Sequence, residues 1–148
     1  MSLLNEQLKQ DMKSAMRAKE KERLATIRMA LAALKQREVD DRIEITDEIV
    51  IATLTKLIKQ RQDAAAQFKD AGREELASKE LSEADVLQAY MPQPLTDAEI
   101  DALVNAAVEE VQAESMRDMG KVMAILKPQI QGRADPGKIS SLVKAKLN

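Results

Sequence analysis

The chain reads as an all-α protein, and three observations predict this. Its apolar residues are Leu, Ala, Ile, Val and Met, with one Phe, one Tyr and no Trp among 148 residues. Ala, Leu, Met, Lys, Glu and Gln, all strong helix formers, dominate the composition. The apolar positions also recur at intervals of three and four, as on the buried face of a helix. At this length the chain fits one ordinary domain or two small ones. The string Met91-Pro92-Gln93-Pro94-Leu95 is the natural boundary. Two prolines spaced by one residue cannot sit inside a helix, and they push their predecessors toward extended backbone. Residues 1–92 and 95–148 are therefore expected to be an N-terminal four-helix part and a C-terminal three-helix bundle.

In the N-terminal part, Leu4, Leu8, Met12 and Ala15 predict one amphipathic helix. Leu24, Ile27, Leu31 and Leu34 predict a second, running to about Asp40. Residues 40–45 read as a connection. Thr46 is a candidate N-cap, with Asp47 and Glu48 placed favourably in the first turn. The third helix carries Val50, Leu54, Leu57, Ile58, Ala65 and Phe68 and stops near Gly72. A fourth covers about Arg73 to Tyr90, with Ser82 and Asp85 resembling a capping pair that would break it near Leu81.

The C-terminal pattern is sharper. Thr96 and Glu99 form a capping box. Ile100, Leu103, Val104, Ala107, Val108 and Val111 follow along one helix face. Met119, Val122, Met123, Leu126 and Ile130 mark the next helix, with Pro128 tightening or kinking its last turn and Gly132 stopping it. Asp135 then caps a final helix. It has Pro136 at its first position, where a missing N–H costs nothing, and Ile139, Leu142, Val143 and Leu147 as its buried face.

Absences exclude several chemistries. There is no His, the commonest general base and metal ligand, and no Cys, so thiolate catalysis, disulfides and Cys-type zinc sites are out. No P-loop string occurs. Carboxylate pairs at helical spacing are plentiful, but none is selected by a neighbouring glycine turn, so no cofactor, metal or catalytic residue is expected. No apolar run approaches a membrane span, and the N-terminus lacks a basic start followed by an apolar stretch. The expected location is cytoplasmic, with no membrane partner.

Charge is distributed in blocks. The overall formal charge is −2, yet residues 117–148 carry seven Lys/Arg against two acids, and three of the four glycines. Residues 93–116 carry six acids and no base. Residues 1–37 hold nine Lys/Arg and four acids, and residues 38–48 hold six acids and one Arg. A basic, glycine-punctuated tail points to a polyanionic partner, because backbone N–H groups can approach an anion closely there. Two strings carry the candidate site. In Asp118-Met119-Gly120-Lys121, Gly120 lies near a helix start, where unpaired N–H groups favour anions. The bland reading is a helix-packing glycine beside a solvated lysine. In Gly132-Arg133-Ala134-Asp135-Pro136-Gly137-Lys138, Arg133 could fork onto a phosphate with Lys138 beside it. The bland reading there is a helix stop, a turn and an Asp-Pro helix start. Lys127, Lys144 and Lys146 extend the same field. Arg28, Arg61 and Arg73 read as solvated or structural.

The C-terminal string DMGKVMAILKPQIQGRADPGKISSLVKAKL resembles the C-terminal domain of the YqeY family. That domain is also the tail of the B subunit of the glutamine-dependent aminoacyl-tRNA amidotransferase. Lys59-Gln60-Arg61-Gln62-Asp63, Phe68, Gly72-Arg73-Glu74-Glu75-Leu76 and Tyr90-Met91-Pro92 resemble the stretch preceding that tail. Ala124 stands where glycine is frequent in the family, and Pro136 where it is not. The resemblance implies an all-α protein with four helices followed by three. It also implies that the tail reaches transfer RNA by shape and backbone, and that the ATP-using cradle and the glutaminase are absent.

The leading functional expectation is a transfer-RNA-binding accessory module without autonomous catalysis. Gly120, Lys121, Lys127, Gly132, Arg133, Lys138 and Lys144 would form its interface, with amidotransferase components as candidate further partners. Few aromatics argue against base stacking, so contacts should be directed by phosphate and shape. The alternatives are participation in carbon–nitrogen ligation with glutamine as amide donor, and a helical protein adaptor presenting Met12, Met16 and Met29. Oligomeric state is not legible.

Overall fold

The computed structural model describes residues 2–148. The all-α expectation is borne out. Among these residues the regular structure is α1 (Leu3–Arg17), α2 (Lys21–Asp41), α3 (Asp47–Asp70), α4 (Glu74–Gln88), α5 (Asp97–Val111), α6 (Met119–Ile130) and α7 (Pro136–Leu147), with a short 3₁₀ turn at Met116–Asp118 before α6. The chain divides into two compact units, Met1–Met91 and Pro92–Asn148.

In the first unit, the periodic positions do close a core. Leu8, Ile27, Leu34, Val50, Leu54 and Leu87 are fully or almost fully buried, and α3 packs most extensively along α4. The start of α1 is fixed from a distance. The Ser2 hydroxyl accepts from Asn5 N at 3.0 Å, capping α1, and donates to Asp47 Oδ1. The same carboxylate oxygen accepts from Leu4 N at 3.2 Å. One aspartate in the first turn of α3 therefore anchors the first turn of α1, and these donors hold its carboxyl below the usual aspartate range. Thr46 caps α3 as expected, accepting from Ile49 N at 3.3 Å.

One expectation needs correction. The break near Leu81 does not occur, and α4 runs unbroken past Ser82 and Asp85. Ala77, Ala84 and Leu87 lie on one helical face and are all buried, so a break would take the last two off the core. Ile45 lies in the connection between α2 and α3, as expected, and is only 5% exposed, so this connection contributes to the core.

Polar ties reinforce this packing. The Tyr90 hydroxyl, just beyond α4, donates to Asp11 Oδ2 on α1. Burial and then this carboxylate push the phenol up to about 12. Arg61 on α3 donates to Leu57 O at 3.0 Å, touches the Met29 sulfur of α2, and places Nε 3.5 Å from Glu83 of α4. With its side chain 13% exposed, Arg61 is a structural strut joining three helices.

In the second unit, Ile100, Val104, Ala107, Val122, Leu126, Ile130, Ile139, Val143 and Leu147 form one aliphatic core. The capping box is present. Thr96 Oγ1 accepts from Glu99 N, and Glu99 Oε1 accepts from Thr96 N, both at 3.1 Å. Pro128 sits inside α6, which continues two residues beyond it. Gly132, at φ +73°, then turns the chain, in a conformation that glycine adopts without steric cost. Asp135 caps α7, accepting from Gly137 N at 3.0 Å.

Two measurements check these ties. Tyr90 is the sole tyrosine, so its ultraviolet absorbance titration should show a midpoint near 12, and Asp11→Asn should move that midpoint toward the ordinary value of about 10. Asp47, with its pKa lowered on folding, adds stability above the unfolded value of about 3.9, and that contribution disappears as pH falls through the folded value. Urea midpoints should therefore fall more steeply below pH 4 in the parent chain than in Asp47→Asn.

Candidate nucleic-acid interface

The C-terminal cations divide into two sets. The first is engaged within the second unit. Arg133 follows the Gly132 turn, and its Nε donates to Gln93 O at 2.8 Å while its own carbonyl accepts from Leu95 N at 2.9 Å. One residue thus clamps both sides of Pro94 and sets the entry into α5. Lys138, in the first turn of α7, lies 3.1 Å from Asp97 in the first turn of α5. Eight residues further along both helices, Lys146 donates to Asn105. The matched spacing means that α5 and α7 run parallel, with lysines of one facing acceptors of the other. The Lys138–Asp97 pair is exposed, at 55% and 91% for the two side chains, so it adds little stability.

The second set faces solvent. Arg117, Lys121, Lys127 and Lys144 are exposed, and among the described residues no ion pair within 4.0 Å engages them. On α6 the outward positions are Gly120, Lys121, Ala124, Lys127 and Pro128, opposite the buried Val122, Leu126 and Ile130. Gly120 and Ala124 lie one turn apart, and a Cβ added at Gly120 would meet nothing within 4 Å. Together they leave a low strip of backbone with Lys121 and Lys127 beside it. Asp118 sits at the head of this helix. Its carboxylate accepts from Glu114 N at 3.0 Å, which holds its pKa low with help from Lys121 and Arg117.

The seven predicted interface residues therefore play unequal parts. Gly120, Lys121 and Lys127 share the outer face of α6, and Lys144 is exposed on α7. Gly132 serves as the helix stop, Arg133 gives its Nε–H to the Gln93 carbonyl, and Lys138 is paired with Asp97. The clamping role of Arg133 was not visible in sequence, because its partner is a main-chain carbonyl forty residues away. The methionines expected to form an adaptor face are split: Met12 and Met29 pack against the first unit's core, and Met16 is 48% exposed. No group of three or more acidic side chains among the described residues is placed to hold a metal, and no helix there is long and apolar enough to cross a membrane.

A family model described as "Yqey-like protein" matches residues 5–147. Proteins named "Altered inheritance of mitochondria protein 41, mitochondrial" are similar. The one from Pyrenophora tritici-repentis is 36% identical over 129 residues, covering 86% of this chain and 71% of that protein. The one from Kluyveromyces lactis is 38% identical over 136 residues, covering 89% and 66%. The one from Lachancea thermotolerans is 38% identical over 108 residues, covering 71% and 58%. The chain thus spans roughly three-fifths to seven-tenths of each relative's length. These names overturn the expectation of a cytoplasmic location, since all three relatives are designated mitochondrial. That expectation rested on hydropathy, which says whether a segment can span a bilayer but not to which compartment a chain is addressed.

The clamp has a measurable consequence. Arg133→Ala removes a short charge-assisted hydrogen bond at the surface that ties the proline segment to the α6–α7 turn, and should cost about 1 kcal/mol in chemical denaturation of the chain. Lys138→Ala, which removes only an exposed pair, should change stability by less than about 1 kcal/mol in the same assay.

Proposed function

This chain belongs to the YqeY-like protein family, and on that footing we propose that it is an RNA-contacting accessory module, with transfer RNA as its ligand and no catalysis of its own. The outer face of α6 carries the proposal. There, Gly120 and Ala124 let a sugar-phosphate backbone approach the helix closely, between Lys121 and Lys127. Exposed Arg117 and Lys144 extend the positive potential around it. With one Tyr and one Phe in the whole chain, stacking of unpaired bases has no platform, so recognition would run through phosphates and duplex shape. The resemblance to the amidotransferase B-subunit tail supports transfer RNA as the partner, and the parent amidotransferase as the setting. Arg133 acts here by holding the fold, and Lys138 joins only by exchanging Asp97 for phosphate.

A titration of the full chain with folded transfer RNA at several salt concentrations tests this. If about four cations meet phosphates, log affinity should fall against log salt with a slope near −3. Replacing Lys121, Lys127 and Lys144 by Gln should weaken binding about tenfold or more at low salt and flatten the slope. An unchanged slope in that variant would remove α6 from the interface.

A further inference from the structure

The first unit holds a second concentration of cations that the proposed interface does not use. Residues 13–28 carry six Lys/Arg against two acids. Of the six, Arg23 is taken up, 3.2 Å from Glu20 and 3.8 Å from Asp11. The other five are Lys13, Arg17, Lys19, Lys21 and Arg28. All are exposed, and among the described residues no ion pair within 4.0 Å involves them. Their placement is regular. Lys13 and Arg17 are one turn apart on the face of α1 that looks away from buried Leu8 and Ala15. Lys21 and Arg28 are seven apart on one face of α2. Lys19 sits in the three-residue connection between the two helices.

Lys19 is the informative residue. Its φ is +59°, and Glu20 N donates to Ala15 O at 3.0 Å across it, so it occupies the left-handed position that ends α1. Glycine fits that position without cost, and a side chain does not. The C-terminal end of the α1 dipole favours a cation there, as it would without a ligand, and Lys19 adds its charge to those of Lys13, Arg17 and Lys21 around the turn. Lys21 also lines a 390 Å³ groove between α2 and α4, with Lys79 on the opposite wall, but Glu22 and Glu83 line it too, so the groove itself is mixed in charge. The α1–α2 hairpin thus offers its cations on both helices and at the turn.

We propose that the α1–α2 hairpin is a second phosphate-contacting surface, through which the first unit binds the backbone of the same structured RNA. This rests on the RNA-contacting reading above. An anionic bilayer offers similar charge, but an interfacial helix also needs an apolar face to sink into the acyl boundary. Met16 is the only large apolar side chain within residues 13–28 that is exposed, so the surface has charge without a wedge.

Two variants of the full chain test the proposal by fluorescence anisotropy with folded transfer RNA across a salt series. The first replaces Lys13, Arg17 and Lys21 by Gln, and the second is Lys19→Gly. The triple variant should bind about tenfold or more weakly at low salt, with a salt slope shallower by roughly 0.9 for each phosphate no longer neutralised. Lys19→Gly should raise the thermal midpoint, because the left-handed backbone is relieved, and still lower the affinity. That combination cannot come from damage to the fold. If both variants bind RNA as the parent does, while the Lys121/Lys127/Lys144 variant binds weakly, the hairpin proposal falls and the α6 reading stands. If the parent chain shows no salt-dependent RNA binding, both fall. If the hairpin variants lose binding only to vesicles containing phosphatidylserine, the surface is a membrane contact and the proposal is overturned.

Discussion

Both units depend on one constraint: aliphatic stripes on helices must seal against one another with scarcely an aromatic ring, Tyr90 at the edge of the first core being the exception, and with no disulfide to complete the closure. Leu8, Ile27, Leu54 and Leu87 do this in the first unit, and Val104, Leu126, Ile139 and Val143 in the second. Aliphatic side chains make many small contacts and no directional ones, so a core of this kind sets which face turns inward but only loosely sets how helix ends meet. Polar contacts at the ends supply that information. Asp47 fixes where α1 begins, Thr46 and Thr96 set the starts of α3 and α5, and Arg133 holds the lead into α5.

The same division explains what the sequence revealed. Helical periodicity located the core stripes of every helix except α4, because spacing along one chain segment is a local property. Caps were legible for the same reason: Thr96 and Glu99, or Asp135 and Pro136, lie within a few residues of each other. The Ser82–Asp85 pair misled because a capping pattern has two uses. Nothing local says that Ala84 and Leu87 are needed on the face begun by Ala77. Ile45 was rightly placed in a connection, but its burial was not legible, because an apolar residue outside any helix has no period to belong to. Arg61 and Arg133 were ambiguous for another reason, since their partners on α2 and α4, or in the proline segment, lie tens of residues away.

Charge was legible as composition but not as surface. The tail's basic excess and the preceding acidic block read as separate fields, yet the parallel packing of α5 and α7 brings Asp97 to Lys138 and Asn105 to Lys146. The unpaired cations of the tail are accordingly fewer than the sequence count, and they sit at Arg117, on α6 and at Lys144. In the first unit the opposite holds. The acids that balance residues 1–37 on paper lie mostly at 38–48, at the far end of α2 and beyond, which leaves the α1–α2 turn with a basic excess that Glu20 and Glu22 only partly offset.

The exposed contact between Lys138 and Asp97 gives the second unit a counterion already tethered in place. Parting the two in water forfeits less than about 1 kcal/mol, so an arriving phosphate can displace the carboxylate almost without penalty. Until then the lysine is shielded from stray anions. On the proposed reading, the footprint of positive charge is elastic, narrow when the helices are alone and wider with a polyanion on α6.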